Sequence, residues 1–541
     1  MENDFKMKRR ITIASILFAV MSIGLGAQNV TDALRFSENE YYGTARSVAM
    51  GNAFTALGGD LGSVSINPAG SAVQNYSQIT LTPQINIMTG TAEYSSDPYG
   101  TARYTSSKNS RTTLSMPNFG TVMNFSTGRR SGVRSFSLGF VANATRYFDD
   151  DMFAGGENGR SSYMGYLADI ATRDGLSVSG LNSASYRNSD VFYWPVMVAY
   201  RSGMINEVGS GENGPYVGLA QSTADGFPQR GTLSQSFNRI SSGYKYDLVL
   251  NFGMNIDNRL YLGANLGMVT MSYAYDTYHK ESALNPADFP VTIDGESDTF
   301  QAMKFHYAYN SEMNGIYGKF GFIFLPFDGL RIGGAIQTPT LNNVSETLWY
   351  SADTRFGNHT GNEVISENDE YYYTYQCVSP MRFNLGVAYT LPGLGCFSFD
   401  YERCDYATMK LRDPNDRHNK YFEDANAGIR DFAGVSDMFR IGAEFNLTPA
   451  YSLRGGYTIA TSAERYWEDD VQKTPNANKQ SVAFGMGYKS KGSFFFDLAC
   501  RMNIYPTEYI YPYDSYAGID SPEIINNSNL WNVVATFGFR F

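Results

Sequence analysis

The sequence is poor in the residues from which most catalytic and metal sites are built, with 4 His and 4 Cys in 541 residues. Long apolar runs are missing too: apolar residues make up 43% and the mean hydropathy is −0.31. A bundle of transmembrane helices is excluded, because each span needs about 20 nearly continuous apolar residues. Basic charge is also scarce, with 42 Lys and Arg against 53 Asp and Glu, a net charge of −11. Phosphate backbones are held by clustered cations, so nucleic acid is not a partner. Four cysteines do not make a disulfide scaffold. Cys396 and Cys404 are predicted on one strand, where eight residues at about 3.3 Å each hold them beyond disulfide reach. What is abundant is aromatic and small: 40 Tyr, 36 Phe and 53 Gly. A membrane β-barrel accumulates this composition, since its alternating strands average out in hydropathy while Tyr and Phe gather in interfacial girdles.

Lys6, Lys8, Arg9 and Arg10 precede the apolar run Ile11 to Ile23, followed by Gly24-Leu25-Gly26-Ala27 and Gln28. This is the basic, apolar and small-residue order of a secretory signal, predicted at residues 1–27; the run is too short to span a bilayer. The remainder is expected to be exported across an inner membrane.

Period-two alternation recurs along the exported part. Trp531, Val533, Ala535, Phe537, Phe539 and Phe541 alternate with Asn532, Val534, Thr536, Gly538 and Arg540. Leu248, Leu250 and Phe252 likewise alternate with Val249, Asn251 and Gly253, and Phe439, Ile441 and Ala443 with Arg440, Gly442 and Glu444. Each is a strand with one greasy and one small or polar face. Short turns are predicted near 126–133, 256–259, 326–329, 392–395, 447–450 and 490–492, and long polar loops near 89–112, 148–243, 276–303, 348–369, 410–434, 463–478 and 505–529. Their alternation predicts an all-β fold, a 14-stranded antiparallel transmembrane β-barrel over 77–541, with both termini on the short-turn side and long external loops. The segment Val191 to Tyr200 carries Pro195 at its centre. It is placed in the largest loop, 148–243, as a packed helix or lid. Backbone polar groups in hydrocarbon must all be paired, so the sheet is expected to close.

Residues 28–76 lack alternation. They read Gly43-Thr44-Ala45-Arg46, Ala49-Met50-Gly51-Asn52-Ala53, Gly58-Gly59-Asp60 and Asn67-Pro68-Ala69, small residues suited to compact packing in a lumen. With Met116-Pro117-Asn118-Phe119, these motifs resemble the long-chain fatty acid transporter (FadL/TodX) family of outer-membrane proteins, while the terminal Phe541 after an alternating aromatic strand resembles the recognition signal of the barrel-insertion machinery. The resemblance is strongest over 41–147 and at the C-terminus. It implies an N-terminal hatch plugging a 14-stranded barrel in the bacterial outer membrane, with Asn67, Pro68, Ala69, Gly58 and Gly59 as hatch or gating residues. The loops, 148–243 above all, show no residue-level match, so no ligand-pocket residue is carried over.

No nucleophile and base are paired by any motif. His279, His359 and His418 fall in predicted loops and His306 near a strand end, without metal-ligand spacing, and no Gly-x-Ser-x-Gly elbow is present. No enzyme activity, cofactor or metal is therefore expected. The charged residues Arg382, Asp400, Glu402, Arg440 and Glu444 are predicted to face the lumen, pairing across neighbouring strands and hydrating it. The expected function is a passive, porin-like channel for hydrophobic small molecules such as long-chain fatty acids, with hatch-gated lateral release. A scaffold for protein secretion or surface attachment is the alternative. Expected partners are a hydrophobic ligand, outer-membrane lipid and lipopolysaccharide, and the barrel-insertion machinery, with the protein acting as a monomer.

Overall fold

The terminal strand shows how the alternation becomes a wall. Over Glu523–Arg540, Thr536 is fully buried, whereas Val533, Phe537 and Phe539 are 37%, 42% and 52% exposed. A computed structural model describes residues 29–541 except 99–103, 210–211, 222–230, 294, 367, 417–419 and 469–470. The predicted signal at 1–27 and His418 lie outside the described residues.

The wall strands are β1 Gln78–Ser95, β2 Thr105–Ser126, β3 Val133–Tyr147 with its continuation Asp150–Asn158, β4 Leu233–Ile256, β5 Leu260–Ala283 and β6 Glu296–Phe324. They continue as β7 Leu330–Gln337 and Thr340–Phe356, β8 Tyr371–Ser379 and Arg382–Leu391, β9 Gly395–Asp405, β10 Val435–Asn446 and β11 Tyr451–Ala460. The last three are β12 Lys479–Lys489, β13 Phe494–Ile504 and β14 Glu523–Arg540. Each is antiparallel to the next, and β14 returns to β1 in register from Gln78↔Arg540 to Ser95↔Glu523. Closure at fourteen strands removes the two free edges of an open sheet, although β2 and β3 pair only over Asn118–Ser126 of β2. Leu250, Phe252, Leu266, Ile316, Phe320, Leu385, Ile441 and Phe484 all stand exposed on the outer face. A continuous outward apolar band around a closed antiparallel wall is the surface of an outer-membrane β-barrel.

The strands are longer than the alternation predicts. Residues 150–158 and 233–243, expected within the loop 148–243, are wall. β6 has 29 residues, where spanning needs about 10. Past the band both faces of these strands meet a polar medium or an internal cavity, so the greasy-outside signal stops although the hydrogen-bonded ladder continues. The prolines Pro339 and Pro380 fall at the breaks that divide β7 and β8, positions where no ladder N–H is available.

Helices occupy the interior and the outer end: α1 Val30–Ser37, α2 Ala45–Ala49, α3 Tyr163–Arg173, α4 Val178–Ser183, α5 Trp194–Arg201 and α6 Glu423–Phe432. The Val191–Tyr200 segment is a 3₁₀ turn running into α5, with Pro195 in the first turn, where its missing N–H goes unneeded. α3 and α5 pack with wall residues such as Phe305, Tyr350 and Tyr273 in the largest apolar cluster, which caps the outer end.

Candidate functional site

The lower lumen is filled by residues 29–77. This chain is irregular, so its backbone groups need partners other than a helix or sheet ladder. The wall supplies them. Asn143 donates to the Gly62 carbonyl (3.2 Å), Asn251 to Pro68 (3.0 Å) and Asn265 to Val64 (2.8 Å). The Lys245 Nζ donates to Phe36 O (2.6 Å), Lys319 Nζ to Ser65 O (2.7 Å) and Arg501 to Tyr41 O (2.9 Å). In the opposite sense, the Thr55 N–H donates to Asp400 and the Ala45 N–H to the Thr536 hydroxyl, both at 2.7 Å.

Asn67, Pro68 and Ala69 form a further anchor. The Asn67 Oδ1 accepts from the Ala69 N–H (3.0 Å) and caps the 3₁₀ turn that Pro68 begins. Its Nδ2 donates to Thr55 O (2.6 Å) and to Phe322 O of β6 (3.0 Å). Gly58 and Gly59 both have positive φ, +60° and +73°, and the Gly59 N–H closes the bend on Gly70 O at 2.9 Å.

The wall accommodates this segment through glycines on its lumen face. A Cβ on Gly321 would sit 2.0 Å from the Asn67 Oδ1, and one on Gly456 2.1 Å from the Gly51 nitrogen. These positions carry the contact that motif reading misses. Their signal is Gly recurring on the wet face of an alternating strand.

The predicted charged residues come together, but in a dry setting. Glu402 accepts from Arg382 (3.0 Å) and Arg440, binding β8, β9 and β10 together. Glu444 is held by Arg454 (2.6 Å) and by Arg46 of the N-terminal segment (2.8 Å). Pairing across neighbouring strands is therefore present, yet Arg382, Asp400, Glu402, Arg440 and Glu444 are all buried. They do not hydrate the lumen here, because the N-terminal segment occupies it. Asp400 serves the Thr55 backbone and so anchors that segment. Glu38, on the same segment, pairs with Lys479 (2.6 Å) and Arg146 (3.0 Å). Burial would raise its carboxyl, but the two cations outweigh burial and hold it down at about 2.

Above the segment lies a cavity of about 2020 Å³. Its floor is α1, its roof α3 and the loops at 464–480 and 504–515, and its walls are tyrosine and phenylalanine from β5, β6 and β7. Tyr307 and Tyr350 have ring centroids 5.0 Å apart, and Tyr163 lies 5.1 Å from Phe305. His279, read from sequence as a loop residue, is on β5 and faces inward, stacked 4.3 Å from Tyr163. His306 bonds Asp276, and His359 bonds Asp298, each at 2.8 Å.

One side of the wall is split. β2 pairs with β3 only from Asn118↔Asn143 to Ser126↔Ser135, and among the described residues the stretch Thr105–Pro117 pairs with β1 alone. Pro117 has no N–H to donate at the point where the ladder ends. Beyond it the continuation of β3 pairs with β4 instead. Side chains bridge the split: Asn109 exchanges two hydrogen bonds with Phe153, Arg111 donates to Asp150 O (3.1 Å), and Thr113 donates to Asp149 (3.0 Å). Phe148, Asp149 and Asp150 form one edge of the split and also line the cavity.

Solved structures with a similar course include the CymD monoaromatic hydrocarbon channel, at 11% identity over 93% of this chain and 99% of that one, with a TM-score of 0.46. The Ralstonia pickettii toluene transporter TbuX matches at 13% identity, over 93% and 99% of the two chains, with a TM-score of 0.46. A Pseudomonas aeruginosa FadL homologue matches at 9%, over 93% and 98%, with a TM-score of 0.49. No protein-family model and no curated protein matches the sequence. The strand count stands on the hydrogen-bonded register of this chain itself.

Proposed function

We propose that the protein is a passive channel for hydrophobic small molecules, in which residues 28–76 act as a hatch. The observation that carries this reading is the aromatic cavity, seated on a sealed lower lumen and touching a split wall. A polysaccharide-coated surface resists apolar solutes and a water-filled pore offers them no favourable path. An aromatic chamber does, at about 0.8 kcal/mol per methylene buried. The floor of the cavity is α1 of the hatch, so a bound molecule presses on the segment whose anchors include Asn67, Pro68 and Ala69. The split beside Asp149 and Asp150 then offers a sideways exit, closed only by side-chain bridges.

Two measurements test the proposal. Binding of straight-chain alcohols should strengthen steadily with length, and a deletion strain should take them up more slowly. Cysteines introduced as Thr113→Cys and Asp149→Cys should cross-link the split, stopping uptake while binding persists, with reduction restoring it. Uptake indifferent to chain length and to the cross-link, together with loss of surface proteins on deletion, would replace the channel by the scaffold reading.

A further inference from the structure

The chemistry of the cavity lining goes beyond apolarity. Its described residues include nine carboxylates against five cations. Each of those cations already has a carboxylate: Arg35 pairs with Asp32, Arg146 and Lys479 with Glu38, Arg173 with Asp174 and Arg239 with Glu508. Nothing basic is left over for an acidic guest. Among the described residues Glu464, which lines the cavity on the loop after β11, has no ion-pair partner. Burial, with Glu38 and Glu508 nearby, raises its carboxyl above the ordinary value, and burial likewise raises Asp514 in the roof. Burial leads in both cases; only at Glu464 do neighbouring carboxylates, Glu38 and Glu508, add to it, against Lys479.

The rings add to this. The faces of Tyr and Phe attract cations through their quadrupole. The wall already holds one: the Arg35 guanidinium lies 4.5 Å from the centroid of Tyr273. Resting on the channel reading, we infer that the cavity selects hydrophobic molecules with a positively charged head, an amine or a quaternary ammonium, over uncharged ones, and rejects carboxylates. The apolar tail packs on the ring wall, and the head sits between ring faces and the surplus carboxylates.

The test compares three ten-carbon amphiphiles of one tail, decylamine, decanol and decanoate, titrated at pH 7 into the full chain held in lipid nanodiscs. Empty nanodiscs are the blank for partition into lipid. Decylamine should bind roughly tenfold tighter than decanol, and decanoate should bind more weakly than either; the amine's advantage should shrink as salt is raised. Glu464→Gln should cut the amine's advantage severalfold and leave decanol unchanged, with unaltered heat-resistant barrel mobility as the folding control. Decanoate binding as tightly as the amine, or decanol tightest, overturns the head-group inference and leaves the channel standing, provided decanol still binds better than hexanol. Failure of all three to bind overturns both.

Discussion

The lower and upper halves of the lumen share the same wall strands, yet they are built on different rules. Below, the wall turns glycine, asparagine, lysine and arginine inward, and several of these side chains meet a backbone group of the N-terminal segment, as Asn265 meets Val64 O and Lys319 meets Ser65 O. Above, β5 and β6 turn Tyr273, Phe305 and Tyr309 inward around a cavity. Directional polar contacts fix one guest of known shape, which is the segment itself. Ring faces hold area without fixing shape, so they accept guests that come and go. A seal and a chamber thus differ by what the same period-two pattern places on the inner face.

The sharpest break in that contrast is Arg440→Met, which strips Glu402 of one buried partner. It should lower stability by about 3–5 kcal/mol, read from the urea midpoint of folding in vesicles, and a further Glu402→Leu change, which leaves the buried Arg382 without its carboxylate, should deepen the loss. A loss under about 1 kcal/mol would mean that the lower lumen is wet. Phe537→Arg on the lipid face should cost about 2–4 kcal/mol in the same measurement. The fully buried Thr536, bonded to Ala45 and Thr82, should not tolerate Arg either, so the lumen face offers no milder site at this level. Gly456→Val, pressed by Gly51, should cost about 1–3 kcal/mol and make residues 40–70 protease-sensitive while the barrel keeps its heat-resistant mobility.

The upper half should respond in affinity instead. Tyr307→Ala should leave the urea midpoint nearly unchanged and weaken decanol binding by about 1 kcal/mol, the worth of one ring contact. The smallest effect sharpens the seal. Because the folded Glu38 carboxyl is held below its ordinary value, its contribution is complete above about pH 4.5 and is lost as pH falls toward about 2. Protease access to the segment should therefore rise only in that window, and Glu38→Gln should abolish the pH step.

The barrel was legible wherever one strand face meets lipid. Trp531 to Phe541 and Phe439 to Phe445 announce their strands because hydrocarbon demands apolar residues at every second position. Asp276 to Glu281 does not, since its outward neighbours meet water and its inward ones a cavity. The N-terminal segment was visible as a small-residue stretch that could not be strand. Its anchors were not, because Asn67 and Phe322, or Tyr41 and Arg501, are hundreds of residues apart and join only when the sheet closes. What the charged set meets depends on what fills the lumen, and Arg382, Asp400, Glu402, Arg440 and Glu444 are all buried.

The length of β6 has a consequence for supply. Ile316 belongs to the exposed apolar band, while the cavity tyrosines Tyr309 and Tyr307 lie seven and nine residues further out. With about 3.3 Å per residue and a tilt near 40°, that places these two tyrosines roughly 20 Å above Ile316. A molecule entering from outside on the β6 side therefore arrives as a dissolved monomer. Each added methylene that strengthens binding also lowers the concentration of free monomer by a similar factor. The two factors cancel in occupancy, so influx at saturating supply is set by release and should fall with chain length even while affinity keeps rising.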